Sequence, residues 1–500
     1  MENLSMFSYI LNVFTFYNFM AMLGGIIVGL VIGAIPGLNP AMAIALLIPV
    51  SFHLPPETSL IMLTSLYAAG IYGGSFSAIL ISAPGTEASA ATAIEGWELT
   101  IRGRAIDALR IATFSSCAGG VISALALLFV SPPAAKIALV FQPLEYFLLA
   151  ILGLTCIASV SLKSFFKGLI SGFFGVFLST IGVDIKSAYP RFTFDFIALE
   201  GGIGIIPAVI GLFAFAQALS ISRGDADKTI LLSGEKAKLS WNLWPKFGEI
   251  MQLKGTLIRA WIIGLIVGII PATGASIAQW IAYGEEIRRA KPGDQFGKGE
   301  IKGLAACEAA NNATTGATLI PLFILGIPGG IAAALIFGAL IIHGLTPGIK
   351  LFTETPHVVY PVMWGFLIAN ILMGFIAVVI ARSMAYLTQF PRGVLSPLII
   401  IFCVMGVYAS THNIFDLLIM FGLGVLSYLM NRHDFVPAAT LLGLILGPIC
   451  ENGFRDWLKV SRGAPLTYLM SRPVALVIIA LIFLAVYYSY WGKLGKMKNK

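Results

Sequence analysis

Long apolar runs separated by short polar loops recur along almost the whole chain. Uninterrupted stretches lie at 58–83, 107–132, 143–161, 168–183, 203–220, 303–327, 357–381, 394–410, 414–430, 436–450 and 472–490. A helix crossing the hydrocarbon core needs about 20 mostly apolar residues, so each stretch predicts one membrane segment. Two more, 20–52 and 257–282, are apolar but interrupted by Pro and Gly. They predict broken or re-entrant helices. The pattern as a whole predicts an all-α polytopic membrane protein with about 11–13 membrane segments.

The longest polar interruption is 221–256, where Arg223, Lys228, Lys236, Lys238, Lys246 and Lys254 accompany Asp225, Asp227, Glu235 and Glu249. It predicts a linker between a first membrane half at 1–220 and a second half, with extra C-terminal helices, at 257–500. The halves repeat. G-L-V-I-G-A-I-P at 29–36 returns as G-L-I-V-G-I-I-P at 264–271. I-L-I-S-A-P-G at 79–85 returns as F-I-L-G-I-P-G at 323–329. Two matches in the same order, about half a chain apart, point to an internal structural repeat.

Composition fixes the solvent. Hydrophobic residues make up 58% of the chain, charged ones 11%, and the mean hydropathy is +0.91. Soluble domains run at about 45–50% apolar and about 25% charged. A soluble enzyme, a disordered chain and a nucleic-acid binder are excluded. The net charge is +8, yet the first basic residue is Arg102 and the last eight residues hold four lysines. Basic loops stay cytoplasmic. The N-terminus is therefore expected outside, and the linker and C-terminus on the cytoplasmic side of the membrane.

Equivalent loops differ in charge. Residues 52–57 carry no Lys or Arg, whereas 283–302 carry Arg288, Arg289, Lys291, Lys298 and Lys302. That switch predicts two inverted repeats. The same arithmetic places 161–168, Arg382–Arg392 and Arg432 inside. It places 451–471 outside despite Arg455, Lys459 and Arg462.

Candidate chemistry gathers at the breaks: I-P-G-L-N-P (35–40), A-P-G-T-E (83–87), I-P-A-T-G-A-S (270–276) and I-P-G-G (327–330). Irregular backbone cannot face lipid, so it must lie in protein or line a wet cavity. In secondary transporters such breaks form the binding site. One Pro-Gly kink alone would be ordinary packing; four in matched pairs favour a site. Small polar residues cluster there, and Glu308, Asn311, Asn312 and Thr315 share one helical stripe. The candidate substrate ligands are Gly37, Asn39, Ser75, Gly85, Thr86, Asn311, Asn312, Thr315 and Gly329. The candidate cation ligands are Asn39, Thr273, Ser276, Glu308 and Asn312. Individually, Ser, Thr and Asn can simply glue helices together, and Glu308 could lie in a surface loop near Lys302. No Lys or Arg lies inside the breaks, so an anion would be balanced by amides, helix N-termini and co-bound Na⁺ or H⁺.

Other features carry less. Gly25, Gly29 and Gly33, matched by Gly264 and Gly268, predict close helix packing. Five scattered cysteines (Cys117, Cys156, Cys307, Cys403, Cys450) read as buried hydrophobes. His412 and Asp416 have no nucleophile beside them. Gly73–Ser77 misses the nucleophile-elbow pattern, and no P-loop occurs. Neither an enzyme nor a resident cofactor is expected.

The stretches G-A-I-P-G-L-N-P (33–40), Y-G-G-S (72–75), A-S-A-A-T-A (88–93), Y-G-E-E (283–286), F-G-K-G (296–299), E-A-A-N-N-A (308–313) and L-G-I-P-G to H-G-L-T-P-G (325–348) carry a resemblance. Over roughly 15–480 the chain resembles the large membrane subunit of the bacterial tripartite tricarboxylate transporters. The resemblance implies a secondary transporter fed by a periplasmic solute-binding protein and assisted by a small four-span membrane subunit. It implies uptake of carboxylates such as citrate, driven by an ion gradient. The chain departs from the family pattern at Ala272, Cys307, Glu87 and Glu98, so the expectation is the substrate class and not one ligand. An oligomer is compatible with it.

The leading expectation is a permease subunit for cation-coupled uptake of organic di- or tricarboxylates. A transporter or channel working without a binding protein is the alternative of the same class. An intramembrane enzyme would need a His, Asp or Cys constellation, which His53, His343, His357, His412 and His433 do not form by spacing. A scaffold without a pathway would leave the matched breaks without purpose.

Overall fold

The computed structural model describes residues 6–36, 38–137, 140–160, 165–184, 186–222, 244–270, 274–387 and 392–497. Nearly all of them are helical. The first half holds α1 (Phe16–Ala34), α2 (Pro40–Phe52), α3 (Pro56–Ile81), α4 (Thr92–Ile101), α5 (Ala105–Ile137), α6 (Pro143–Val160), α7 (Phe165–Ser179) and α8 (Ile205–Ser222). The second holds α9 (Phe247–Ile269), α10 (Gly274–Arg288), α11 (Ile301–Leu325), α12 (Ile331–Ile342), α13 (Pro356–Leu387), α14 (Arg392–Thr411), α15 (Ile414–Arg432), α16 (Pro437–Val460) and α17 (Pro473–Met497). Among the described residues, seven helices are long and apolar enough to cross a membrane, and six shorter apolar helices accompany them.

Each uninterrupted apolar stretch became one helix, and each broken stretch became two. α9 starts at Phe247, ahead of the predicted 257, because the Glu249 carboxylate caps its first turn through the Lys246 amide at 2.9 Å. Most of the 221–256 linker lies outside the described residues.

The described chain forms two compact units. One comprises Met1–Pro133 with Ser220–Leu398, the other Ala134–Leu219 with Ile399–Lys500.

In the first unit the glycine series sets the packing. A Cβ added at Gly25, Gly29 or Gly33 would stand 2.3, 2.5 or 2.3 Å from the carbonyl oxygens of Met62, Leu66 and Gly70. The order of these contacts makes α1 and α3 parallel. A parallel neighbour needs a return path, and α2 supplies it. Asn39 starts α2 by accepting the Met42 amide at 2.8 Å, with Pro40 in its first turn. Gly264 and Gly268 do the same against Ala310 and Thr314, at 2.5 and 3.0 Å, so α9 runs parallel to α11 with α10 returning.

The two breaks share hydrogen bonds at matching positions. Gly85 donates to the Gly74 carbonyl and Gly329 to that of Thr318, each at 3.2 Å. Ala83 donates to Ser77 and Ile327 to Pro321, each at 3.3 Å. Ser82 and Gly326 both end their helices in the left-handed region, at φ 54° and 70°. α3 and α11 run antiparallel, since Tyr67, Ala68 and Ser75 meet Thr318, Asn312 and Glu308 respectively.

The second unit packs by the same device. A Cβ at Gly175 would lie 2.0 Å from the Thr440 oxygen, and one at Gly443 2.1 Å from that of Gly172, locking α7 on α16. One end joins Lys167 to the His433 carbonyl. The opposite end is a charge cluster. Arg455 reaches Asp184 at 2.8 Å and Glu451 at 2.7 Å, Lys186 reaches Asp456, and Arg472 reaches the buried Glu145. The Ser187 hydroxyl and the Arg455 guanidinium hold Asp184 well below the usual carboxylate range. These pairs explain how 451–471 differs from the loop expected there. α16 continues to Val460, and the acidic partners neutralise Arg455 and compensate its cost.

Candidate functional site

The polar stripe of α11 is buried in the first unit. Glu308 is fully buried, and so are Asn311, Asn312, Thr314, Thr315 and Thr318. A carboxylate so far from water must be compensated locally. Three helices supply hydroxyls. Ser75 of α3 donates to Oε1 at 2.7 Å, Thr92 of α4 donates to the same oxygen, and Ser116 of α5 donates to Oε2 at 2.6 Å. No Lys or Arg side chain pairs with Glu308 among the described residues. Glu308 thus ties four helices together with neutral donors, an arrangement that can hold a carboxylate, a proton or a nearby cation.

One turn further on, Asn312 donates to the Ala68 carbonyl at 3.4 Å and Asn311 to that of Ala88 at 2.9 Å. The Oδ1 atoms of both asparagines are buried without a hydrogen-bond partner. An unmade bond of this kind costs about 1–3 kcal/mol, so each is a vacant acceptor. Thr314, Thr315 and Thr318 turn their hydroxyls back to the carbonyls of Asn311, Asn312 and Thr315.

The breaks are gripped across the repeat. Gln279 of α10 donates to the Glu87 carbonyl and accepts the Ala91 amide at 2.9 Å. α2 in turn packs on α12. Gly85 and Gly329 are pressed on the Gly33 and Gly268 carbonyls, where a Cβ would meet oxygen at 1.9 and 2.6 Å. Their amides are already bonded within the fold, so in this conformation the two glycines shape the breaks instead of offering open N–H groups.

A second buried carboxylate lies at the end of the unit that carries the basic loop. Glu95 accepts the Tyr283 hydroxyl and the Gly297 amide on Oε1, at 2.7 and 2.6 Å. Its Oε2 accepts the Gly299 and Glu300 amides, both at 2.7 Å. The backbone of 297–300 thereby folds around a carboxylate much as an amide nest folds around an anion. Glu95→Gln turns an N–H₂ towards donors. At about 1–3 kcal/mol per orphaned donor, amide hydrogen exchange at Gly299 and Glu300 should accelerate about tenfold or more. Exchange at the wild-type rate would remove the carboxylate from that role.

Of the residues expected at a site, Ser75 and Glu308 are joined directly. Asn311 touches the carbonyl beside the first break, and Asn312 and Thr315 continue the α11 stripe. Thr86 packs on Gly74 and hydrogen-bonds Ser89. Asn39 caps α2 with its side-chain oxygen. Ser276 lends its carbonyl to Gln279. Gly37 and Thr273 lie outside the described residues. Sequence reasoning passed over Thr92, Ser116, Gln279, Glu95 and Asn370. Asn370 and Ser116 carried a signal nonetheless, as polar side chains inside apolar spans.

Comparisons with known proteins now bear on this geometry. The profile of the Tripartite tricarboxylate transporter TctA family matches residues 19–442. An uncharacterized 52.8 kDa protein in the TAR-I ttuC' 3' region of Agrobacterium vitis is 35% identical over 456 residues, covering 91% of this chain and 90% of that protein. A second Agrobacterium vitis protein, in the TAR-II ttuC' 3' region, is 34% identical over 218 residues, covering 44% of this chain and 90% of its own length. No solved structure matches the chain.

Proposed function

The chain belongs to the tripartite tricarboxylate transporter TctA family, a family of transporter components and not of enzymes, and on that premise we propose how it works. It is the permease that carries an organic di- or tricarboxylate across the bacterial inner membrane. A periplasmic binding protein delivers the substrate, a small four-span subunit assists, and co-transported Na⁺ or H⁺ drives uptake.

One observation carries the reading: the buried polar face of α11, with its two vacant amide oxygens, crosses α3 between the paired breaks. The opposite course of α3 and α11 supports an inverted repeat, in which two gates alternate around one site. Contacts at the two ends of the helices support the expected sidedness. Ser59 meets His343 at one end, while Glu95 and Arg110 meet residues 297–300 and Glu249 at the other. The basic end is the cytoplasmic one. Asn311, Asn312 and Thr315 face the substrate, and Asn39, Ser75, Thr86 and the backbone near Gly37, Gly85 and Gly329 complete its surroundings. Thr273, Ser276 and Glu308 belong to the coupling side, and Asn39 and Asn312 serve both.

Asn311→Ala or Asn312→Ala should lower carboxylate uptake about tenfold, the effect of losing one or two hydrogen bonds to a charged ligand, with membrane expression unchanged. Wild-type uptake in both variants would remove the α11 site. Proteoliposomes assayed with and without the periplasmic partner test binding-protein dependence. Equal rates would favour the independent transporter.

A further inference from the structure

Asn370, on α13, is fully buried, and its Oδ1 has no hydrogen-bond partner. Its Nδ2 donates to the Phe366 carbonyl at 2.8 Å, which fixes the plane of the amide. The free oxygen lies over Gly120 of α5, where an added Cβ would stand 1.8 Å from it. One turn along α5, Ser123 donates to the Gly120 carbonyl and to that of Asn312. The Asn312 backbone and the vacant Asn370 oxygen therefore meet neighbouring turns of α5, and the Asn312 side chain reaches from there to the Ala68 carbonyl of α3.

The helix register brings a third oxygen to this level. α3 and α5 are antiparallel and are joined by the Tyr72–Thr113 hydroxyl pair. Seven residues are about two helical turns. Seven residues before Tyr72 stands Ser65, and seven after Thr113 stands Gly120. The Ser65 hydroxyl is also fully buried and unpartnered. α13 agrees, since its Gly365 packs on Ile61, one turn before Ser65 on the parallel α3.

We propose that Asn312 Oδ1, Asn370 Oδ1 and the Ser65 hydroxyl, set near one level of α5 by the helix register, bind a monovalent cation of Na⁺ size. Hard oxygen donors suit alkali and alkaline-earth ions. These three carry no charge, which favours an ion of single charge over a divalent one. Glu308 stands one turn away on α11, close enough to feel the ion and too well bonded by Ser75, Thr92 and Ser116 to be its ligand in this conformation. The proposal rests on the transporter reading above and gives its coupling ion a place.

The test uses the purified full-length chain in detergent and reads thermal unfolding against NaCl, KCl and choline chloride at constant ionic strength. Wild-type protein should be stabilised by NaCl alone, with a saturating dose response. Ser65→Ala, the mildest change, and Asn370→Ala should each raise the half-maximal NaCl concentration at least tenfold. If Asn370→Ala fails to fold, Ser65→Ala decides. Equal stabilisation by all three salts, or an unchanged Na⁺ response in the variants, would overturn the site and leave the pair of amides to a water molecule. Na⁺ stabilisation without uptake in proteoliposomes would sink the transport reading and keep the site. Uptake without Na⁺ stabilisation would do the reverse.

Discussion

Glu308→Gln is expected to yield a folded protein whose carboxylate uptake falls about tenfold to a hundredfold, the loss of one charged interaction worth about 1.5–3 kcal/mol. Glutamine keeps the volume, and its carbonyl oxygen can still accept from Ser75 and Thr92. Ser116 need only rotate to accept from the new N–H₂. The fold survives, but the charge does not. Glu308→Ala should behave differently. Three buried hydroxyls lose their acceptor, at about 1 kcal/mol each once they turn back to their own helices, and a cavity remains. The loss of stability should be about 3 kcal/mol or more. Thermal unfolding in detergent and uptake at matched membrane expression separate the two effects. Wild-type uptake by Glu308→Gln would reduce the carboxylate to a clasp between helices.

Gly85→Ala should be among the most damaging single substitutions in the first unit. Its Cβ would stand 1.9 Å from the Gly33 carbonyl oxygen, with Ser77 Oγ at 2.8 Å. Backbone on one side and a helix on the other cannot yield, so the break must open or α1 must leave α3. Overpacking of this kind costs about 1–3 kcal/mol and more against backbone. Gly329→Ala, at 2.6 Å from Gly268, should cost less. Gly24→Ala is the control, because nothing lies within 4 Å of its Cβ and alanine is the better helix former by about 1 kcal/mol. The order of melting temperatures, Gly24→Ala above Gly329→Ala above Gly85→Ala, checks the packing. Equal stability of Gly85→Ala and Gly24→Ala would refute it.

Much of the fold was legible because lipid is a demanding solvent. Apolar runs of spanning length and their Pro-Gly interruptions located nearly every helix. The glycine series announced close packing of α1 and of α9, and the fold supplied α3 and α11 as the partners. The repeated P-G stretches marked two breaks that proved alike down to their hydrogen bonds. Glu308 stood out as a carboxylate in an apolar run. Ser75 stood out too, but its pairing with Glu308 did not, nor did Thr92 and Ser116, since the three lie 233, 216 and 192 residues away. Glu95 was hidden among neighbouring acidic residues, and its four donors come from the distant 283–300 segment. Asn370 is one polar residue in a long apolar span, and only the packing leaves its oxygen without a partner. α16 outran its apolar stretch because Asp184 and Glu451 accept Arg455.

What the sequence determined by itself follows from local quantities: how long a run is apolar, where charge accumulates, where Pro and Gly interrupt a helix. Those sum residue by residue, so they establish a polytopic helical membrane protein with a repeat and the neighbourhood of its polar face. The tertiary structure decided which oxygen meets which donor. That depends on rotation and register between helices to a fraction of a turn, set here by glycines pressed on carbonyls. A shift of one residue would separate Ser75 from Glu308 and Tyr72 from Thr113, and no one-dimensional pattern records it.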